Sequence, residues 1–523
     1  RDISRLAAVS GRSRTADPGV LEVAMLDQFL LGLSVVMQPN VLMYAFFGVF
    51  LGQLIGVLPG VGAITAISLL LPVTFYLDAT TSMILLAGIY YGSQYGGSIA
   101  SILMNLPGTP SSVVTCLEGY PLAQSNRAGL ALFVAAFSSF LGGMFGVSIL
   151  VLAAIPMTVI ALKFGAPEYA MLVILGLLAA SMIGTGSQIR SFAMVVFGIA
   201  LGLVGADATT GYYRFVAMPE LADGISLVSL AMGLFGVSEV IRNASRRPAA
   251  GAKPLSVRMR DVIPTRAQAR SIAFPIIRGS SIGSFFGALP GTGAAIASFM
   301  AYAMERRFSR TPEKFGTGHL PGLAAPESAN NAASQTGFIP TLTLGVPGDA
   351  VMALIIGALI LNGIIPGPRL MVDQPELFWG VIASFFVGNI ILLLINIPLI
   401  KLWVLLLRIP YQKLYPMIVI MICVGVYSHR TSVTDVLLTL AFGVLGYLMK
   451  NYRFEPAPVL LGFVLGPLLE DNFRRTMLLY GGDFTVFVTR PISAVLVACS
   501  AFLLVFAVWS SFSTRSNPAH PSR

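Results

Sequence analysis

Residues 56–66 read GVLPGVGAITA, and residues 287–297 read GALPGTGAAIA. Each is a Pro-Gly-x-Gly step inside a run that lacks Asp, Glu, Lys and Arg, 41–77 in the first case and 279–304 in the second. Proline removes an amide donor and blocks the helical ladder, while glycine lets the chain turn without a Cβ penalty. An apolar run of roughly 20 residues crosses a hydrocarbon core. A break inside such a run therefore predicts helix pieces that meet at depth. Their freed backbone groups cannot face lipid, so they must be buried in protein or line a cavity.

The same patterning extends outward. Residues 79–117, 128–162, 169–189, 328–348, 350–368, 377–400 and 491–514 also lack charge. Of 523 residues, 56% are hydrophobic and 11% charged, against about 25% charged in a soluble domain. Mean hydropathy is +0.82. These runs predict an all-α polytopic membrane protein with roughly 10–13 embedded segments. They do not alternate with period two, which excludes a transmembrane β-barrel. The net charge of +10 does not predict nucleic-acid binding. The bases cluster in short loops between apolar runs, as in cytoplasmic loops of membrane proteins. Cys116, Cys423 and Cys499 show neither metal nor disulfide spacing, and His319, His429 and His520 are scattered. HExxH, Walker A and CxxC motifs are missing, and the string GSSIG at 279–283 lies within a charge-free apolar run and forms no Gly-x-Ser-x-Gly elbow in register, so neither an enzyme nor an ATP-driven pump is expected.

Residues 242–278 hold nine Lys/Arg against the single acid Asp261 and read as a cytoplasmic loop. The expected organisation is a basic extension 1–24, a first transmembrane repeat 25–241, a basic loop 242–271, a second repeat 272–510 and a polar tail 511–523. Met25 opens the apolar part and reads as a candidate initiator; no small-residue cleavage site of a signal peptide is evident. The halves match at three landmarks: the two Pro-Gly-x-Gly steps are 231 residues apart, NLPGTPSSV at 105–113 answers LGVPGDAVM at 344–352, and the runs ending at Pro156 and Pro398 correspond. Bases flank the second break, Arg278 on one side and Arg306, Arg307, Arg310 and Lys314 on the other, but not the first. That asymmetry favours inverted-topology repeats with broken helices or re-entrant hairpins. The halves would be parallel instead if residues 20–38 lay flat in the interface.

Ligand sites in membrane carriers form where helices break, because N-terminal ends attract anions and carbonyl ends coordinate cations. The candidate substrate-binding residues are Gly60 and Gly62; Asn105, Pro107, Gly108, Thr109, Ser111 and Ser112; Gly291, Thr292 and Gly293; and Pro347 and Gly348. GIYYGSQYGGSIAS at 88–101 and ESANNAASQTGFIPT at 327–341 add neutral polar groups. Asn330, Asn331 and Thr336 are the candidates there, as donors to a carboxylate or as interhelical hydrogen bonds. Asp349 and Gly345 are the coupling-ion candidates. An intramembrane carboxylate is a functional hypothesis by default, but Asp349 equally fits an N-cap for a helix 350–365. Glu327 reads as the start of a helix in the same way, and Glu118, before Gly119-Tyr120-Pro121, as a membrane-boundary residue. The alternative, ordinary packing kinks, explains one break more easily than four in matched positions.

Three long stretches resemble the large membrane subunit of the tripartite tricarboxylate transporters, the TctA family. They are GQLIGVLPGVGAITAISLLLPVTF at 52–75, YYGSQYGGSIASILMNLPGTPSSVVTCLEGYPLA at 90–123 and APESANNAASQTGFIPTLTLGVPGDAVMALIIGALILNGIIPGP at 325–368. The resemblance covers nearly all of 25–510. It implies a binding-protein-dependent secondary transporter in a bacterial inner membrane, importing tricarboxylates or related carboxylates by Na⁺ or H⁺ symport without another cofactor. It also implies two partners, a periplasmic solute-binding protein (TctC-like) and a small membrane subunit (TctB-like). Two features depart from the family pattern, the basic extension before Met25 and Leu320-Pro321-Gly322-Leu323 where an acidic residue is expected. A stand-alone carboxylate:cation symporter is the alternative, and an integral-membrane enzyme a remote one.

Overall fold

Proline, glycine and short polar side chains set the helix ends. Pro39 opens the helix that follows Gln38, and Asp78 caps the next long helix by accepting the Thr81 amide at 3.0 Å. Asn105 (φ 56°) and Gly345 (φ 69°) end their helices in the left-handed region. Thr265 and Gln268 form a reciprocal capping box, which satisfies two amides that the first turn leaves without helical partners.

The computed structural model describes residues 18–58, 62–181, 188–207, 210–245, 262–289, 293–396, 398–399, 402–403 and 411–513. The first half contains α1 (Pro18–Val36), α2 (Pro39–Val57), α3 (Gly62–Leu70), α4 (Ala79–Met104), α5 (Val113–Leu122), α6 (Ala128–Ala161), α7 (Ala166–Ser181) and α8 (Gln188–Gly202). A helical stretch over 227–245 follows, with a π-turn at Met232–Val237. The second half contains α9 (Arg266–Gly287), α10 (Gly293–Phe308), α11 (Leu320–Thr336), α12 (Phe338–Leu344), α13 (Ala350–Leu361), α14 (Pro375–Asn396), α15 (Tyr411–Arg430), α16 (Val433–Asn451), α17 (Ala457–Leu479) and α18 (Pro491–Ser513). Strand structure among the described residues is one antiparallel bridge, Gly205–Ala206 with Tyr213–Arg214. Arg214 and Arg474 tie it to Asp207 and Glu470.

The chain is a helical bundle whose polarity is reversed relative to a soluble protein. Phe274, Phe285, Leu152, Ile160, Leu437 and many other large apolar side chains are exposed on its outside. Helix α11, rich in polar side chains, is inside: Glu327, Ser328, Asn330, Asn331, Ser334, Gln335 and Thr336 are all buried. Four helical stretches among the described residues are long and apolar enough to cross a membrane: Pro39–Val57, Pro110–Ala161, Pro375–Asn396 and Val433–Asn451. Seven shorter apolar helices accompany them. The integral-membrane helical bundle expected from the sequence is the observed class.

Glycine stripes position the core. A Cβ on Gly48, Gly52 or Gly56 of α2 would strike the backbone of Leu85, Ile89 or Ser93 on α4. The same construction on Gly279, Gly283 or Gly287 of α9 strikes Ala325, Ala329 or Ala333 on α11. The two glycine sets lie 231 residues apart, and the two target sets 240. Small residues at every fourth position let helix backbones touch, the usual device where no water drives helices together. The halves then exchange supports. Helix α6 packs on α11 through Gly142 and Gly146, while α14 packs on α4, where Gly388 meets the Tyr91 ring.

Candidate functional site

Gly62 (φ 69°) opens α3 and Gly293 (φ 63°) opens α10, each the last residue of a Pro-Gly-x-Gly step. Residues 59–61 and 290–292 lie outside the described residues, and with them the candidates Gly60, Gly291 and Thr292. The helices that follow show where the breaks go. A Cβ on Gly62 would sit 3.8 Å from the Gly108 carbonyl oxygen, and one on Gly293 would sit 3.2 Å from Asp349 Cβ. In turn α3 packs on α13, and α10 packs on the turn Pro110–Ser112. The start of α3 therefore lies beside the Pro107-Gly108 break and the start of α10 beside the Pro347-Gly348 break, and each of the two helices also packs on an element of the other half.

In the first half, α4 ends at Asn105, and Asn105, Leu106 and Pro107 are exposed. Gly108 turns inward. A Cβ there would collide with the Gly56 carbonyl and lie 2.7 Å from Gly97 Cα, so only glycine fits. Thr109 starts the 3₁₀ turn Pro110–Ser112 with its own box: the Ser112 hydroxyl takes the Thr109 amide at 3.1 Å. Ser111 Oγ lies 3.0 Å from Thr109 Oγ1 and donates to Gln94 Oε1 at 2.8 Å. A cluster of neutral hydroxyl and amide groups thus lines this break.

In the second half, Gly345, Val346, Pro347 and Gly348 are buried. Gly348 faces Gly337 and the Gly287 carbonyl, the residues that match Gly97 and Gly56 by position. Asp349 stands where Thr109 stands in the first half. Its Oδ1 accepts the Met352 amide at 2.9 Å, and its Oδ2 accepts the Tyr90 hydroxyl at 2.8 Å. It is the N-cap of α13, and it also receives a phenol from α4 of the other half. Helix α13 ends at Leu361, before Gly363 (φ 73°), four residues short of the expected 365.

The amides on α11 divide. Thr336 Oγ1 donates to the Ala332 carbonyl at 3.0 Å, and Asn331 Nδ2 donates to the Glu327 carbonyl at 3.1 Å. Both amide atoms of Asn330, both of Gln335 and Asn331 Oδ1 are buried without a hydrogen-bond partner. So are both amide atoms of Gln53 on α2 and Ser284 Oγ on α9, which occupy matched positions 231 residues apart. Buried polar atoms are normally paired, and leaving one unpaired costs about 1–3 kcal/mol. Their number here fits a region built to contact something polar.

Two further carboxylates are buried, and one of them departs from the sequence expectation. Glu327 does not start a helix. It lies inside α11, which begins at Leu320 with Pro321 in its first turn. Its carboxylate accepts from Ser98 on α4 (2.8 and 2.9 Å), Ser139 on α6 (3.0 Å) and Thr115 on α5. Glu118 is fully buried. It accepts the amides of Gly316 (2.6 Å), Gly318 (2.8 Å) and His319 (2.7 Å) and the Tyr302 hydroxyl (2.9 Å), so it ties α5 to the loop before α11. Burial pushes the imidazole of His319 in that loop below its ordinary pKa, with Glu118 opposing the shift.

Charge around the breaks is one-sided. Residues 79–117, 279–304 and 328–348 carry none, and Glu327 and Asp349 are the acids on α11 and at the start of α13. Arg278 pairs with Glu305 through two contacts of 2.9 and 2.7 Å, closing the far end of the α9–α10 hairpin. No group of three or more His, Cys, Asp and Glu that could hold a metal occurs among the described residues.

The chain is similar to known proteins over most of its length. Residues 42–461 match the family model described as "Tripartite tricarboxylate transporter TctA family". An "Uncharacterized 52.8 kDa protein in TAR-I ttuC' 3'region" of Agrobacterium vitis is 47% identical over 494 residues, 94% of this chain and 98% of that protein. An "Uncharacterized protein in TAR-II ttuC' 3'region" of the same organism is 51% identical over 233 residues, 45% of this chain and 96% of that protein. No solved structure matches.

Proposed function

The chain belongs to the tripartite tricarboxylate transporter TctA family, and on that premise we propose that it is the membrane-embedded permease of a binding-protein-dependent secondary transporter. It imports tricarboxylates or related carboxylates across a bacterial inner membrane, driven by Na⁺ or H⁺. A periplasmic solute-binding protein delivers the substrate, and a small membrane subunit completes the complex.

The observation that carries this reading is that α3 and α10, one from each half, start beside the Pro107-Gly108 and Pro347-Gly348 breaks, with neutral donors around them. Helices α3 and α10 begin there, and helix starts hold amides that no helical carbonyl accepts. Their partial positive charge attracts anions. Hydroxyls of Thr109, Ser111 and Ser112 lie beside them. A carboxylate substrate brought into low dielectric would be repelled by Asp349 and Glu327 unless cations came with it, which is a physical reason for symport. The exchange of supports between halves fits alternating access, in which one repeat moves against the other. The basic residues around the α9–α10 hairpin favour inverted repeats.

Uptake of labelled citrate and other carboxylates tests the proposal, in cells lacking their own carriers. The chain is expressed alone and with its binding protein and small subunit, with Na⁺ present or replaced by choline and with the pH gradient set or abolished. Uptake only with all three components is expected. Uptake by the chain alone would favour the stand-alone symporter, and no uptake in any combination would overturn the assignment. Tyr76→Cys and Phe308→Cys, both at exposed positions, should react with a membrane-impermeant thiol reagent from opposite faces if the repeats are inverted.

A further inference from the structure

We propose that Glu327 is the anionic ligand of a dedicated Na⁺ site, separate from the Pro-Gly breaks, formed where α4, α5, α6 and α11 meet. The inference rests on the reading of the chain as an ion-coupled carrier and names one of its ion sites. Glu327 is 1% exposed, and its hydrogen-bond partners are all hydroxyls, from Ser98, Thr115 and Ser139. None of its partners carries a balancing positive charge. A carboxylate held in this way is costly in a low-dielectric interior unless a cation is supplied.

The surroundings indicate which cation. Ser98 and Ser139 also line a cavity of about 10 Å³, with Tyr95 and Asn396 as its other polar walls. That is roughly the space one water-sized sphere takes up. A hydroxyl that donates its hydrogen to a carboxylate keeps lone pairs free, so Ser98 and Ser139 can turn oxygen towards an ion in the cavity while still holding Glu327. An all-oxygen shell selects a hard cation. One carboxylate balances one positive charge, which favours a monovalent ion over Ca²⁺ or Mg²⁺. A proton on Glu327 would need no cavity; the cavity beside the hydroxyls is what favours Na⁺. Further along α11, Gln335 has both amide atoms buried and unpartnered. The position of a Cβ on Gly143 would lie 2.9 Å from Gln335 Nε2 and even closer to Asn389 Oδ1. Asn389 in turn accepts from Tyr95, a wall of the cavity, at 3.2 Å. A polar path therefore leads from the cavity along α11 towards the second Pro-Gly break.

Binding of ²²Na⁺ to the full chain in lipid nanodiscs, with choline as the replacement ion, tests the site without any transport. Saturable binding is expected in the wild type. Glu327→Gln keeps the shape and should raise half-saturation at least tenfold. Ser139→Ala and Ser98→Ala each remove one ligand, and losing about 1 kcal/mol would raise it roughly five- to tenfold. These two serine variants decide the matter if Glu327→Gln does not yield folded protein. Asp373→Asn, at an exposed carboxylate away from the site, should bind Na⁺ as the wild type does. Wild-type half-saturation in Glu327→Gln, or an equal loss of binding in Asp373→Asn, would overturn the proposal. So would a wild-type chain that binds no Na⁺. Na⁺ binding with no carboxylate uptake under any condition would instead overturn the transport reading and leave the site standing.

Discussion

Asp349 performs two jobs with two oxygens, and substitutions can separate them. Oδ1 caps α13 through the Met352 amide, and Oδ2 takes the Tyr90 hydroxyl. Serine caps a helix about as well as aspartate, so Asp349→Ser should keep the first bond. Its side chain is one bond shorter and cannot reach Tyr90, whose hydroxyl is left buried at a cost of about 1–3 kcal/mol. Asp349→Ala loses the cap as well, which adds about 1 kcal/mol. Tyr90→Phe removes a hydrogen bond to a charged group, about 1.5–3 kcal/mol. The double variant Asp349→Ser/Tyr90→Phe leaves neither partner stranded. Its loss should therefore fall short of the sum of the two single losses by about 1–2 kcal/mol, well outside the ~0.5 kcal/mol expected of independent sites.

Reversible unfolding of the purified protein in detergent would measure the four variants. Equal losses for Asp349→Ser and Asp349→Ala would refute the capping argument. Additive losses in the double variant would refute the coupling across the two halves. Uptake assays on the same proteins add a separate test. If Asp349 takes part in the cycle, Asp349→Ser should lose most of its uptake while keeping most of its stability. Unchanged uptake and unchanged ion dependence would remove Asp349 from the mechanism and leave it a cap.

Other expectations follow from named contacts. Gly52→Ala and Gly283→Ala should each cost about 1–3 kcal/mol by overpacking, because their Cβ atoms would lie 2.7 and 2.6 Å from the Cα atoms of Ile89 and Ala329. Gly236→Ala meets only the end of the Ile422 side chain and should be milder in the same unfolding assay. Glu118→Gln should loosen the loop before α11, since a neutral amide cannot accept three amides and a phenol as a carboxylate does; faster proteolysis between Arg310 and His319 would show it, and unchanged cleavage would argue against the tie. Arg278→Ala strands the carboxylate of Glu305, which is 3% exposed, so it should destabilise the α9–α10 hairpin more than Arg278→Ala/Glu305→Gln does, as read by the unfolding midpoint.

How much of this was legible in the chain depends on distance along it. The charge-free runs and the Pro-Gly steps act locally, and they pointed to the membrane bundle and to breaks at 105–109 and 345–349, with an N-cap as one of two readings of Asp349. The glycine stripes were equally open to view. Gly48, Gly52 and Gly56 recur as Gly279, Gly283 and Gly287 at a spacing of four, and a search for that spacing would have found the seams. Glu327 was misread for a local reason. Pro326 before it looks like the first turn of a helix, but Pro321 already occupies that turn. Pro326 therefore sits inside the helix, where it forfeits a bond to the Gly322 carbonyl. The partners of Glu327 are 188–229 residues away on three other helices, and no periodicity within α11 points to them. What the sequence did carry was the anomaly itself, a carboxylate within a segment of Ala, Ser, Asn and Gln bounded by apolar runs. Such a helix can be stable only at the centre of the bundle, where other helices supply donors. In a single chain of this kind, that placement is the signal most worth following to an ion site.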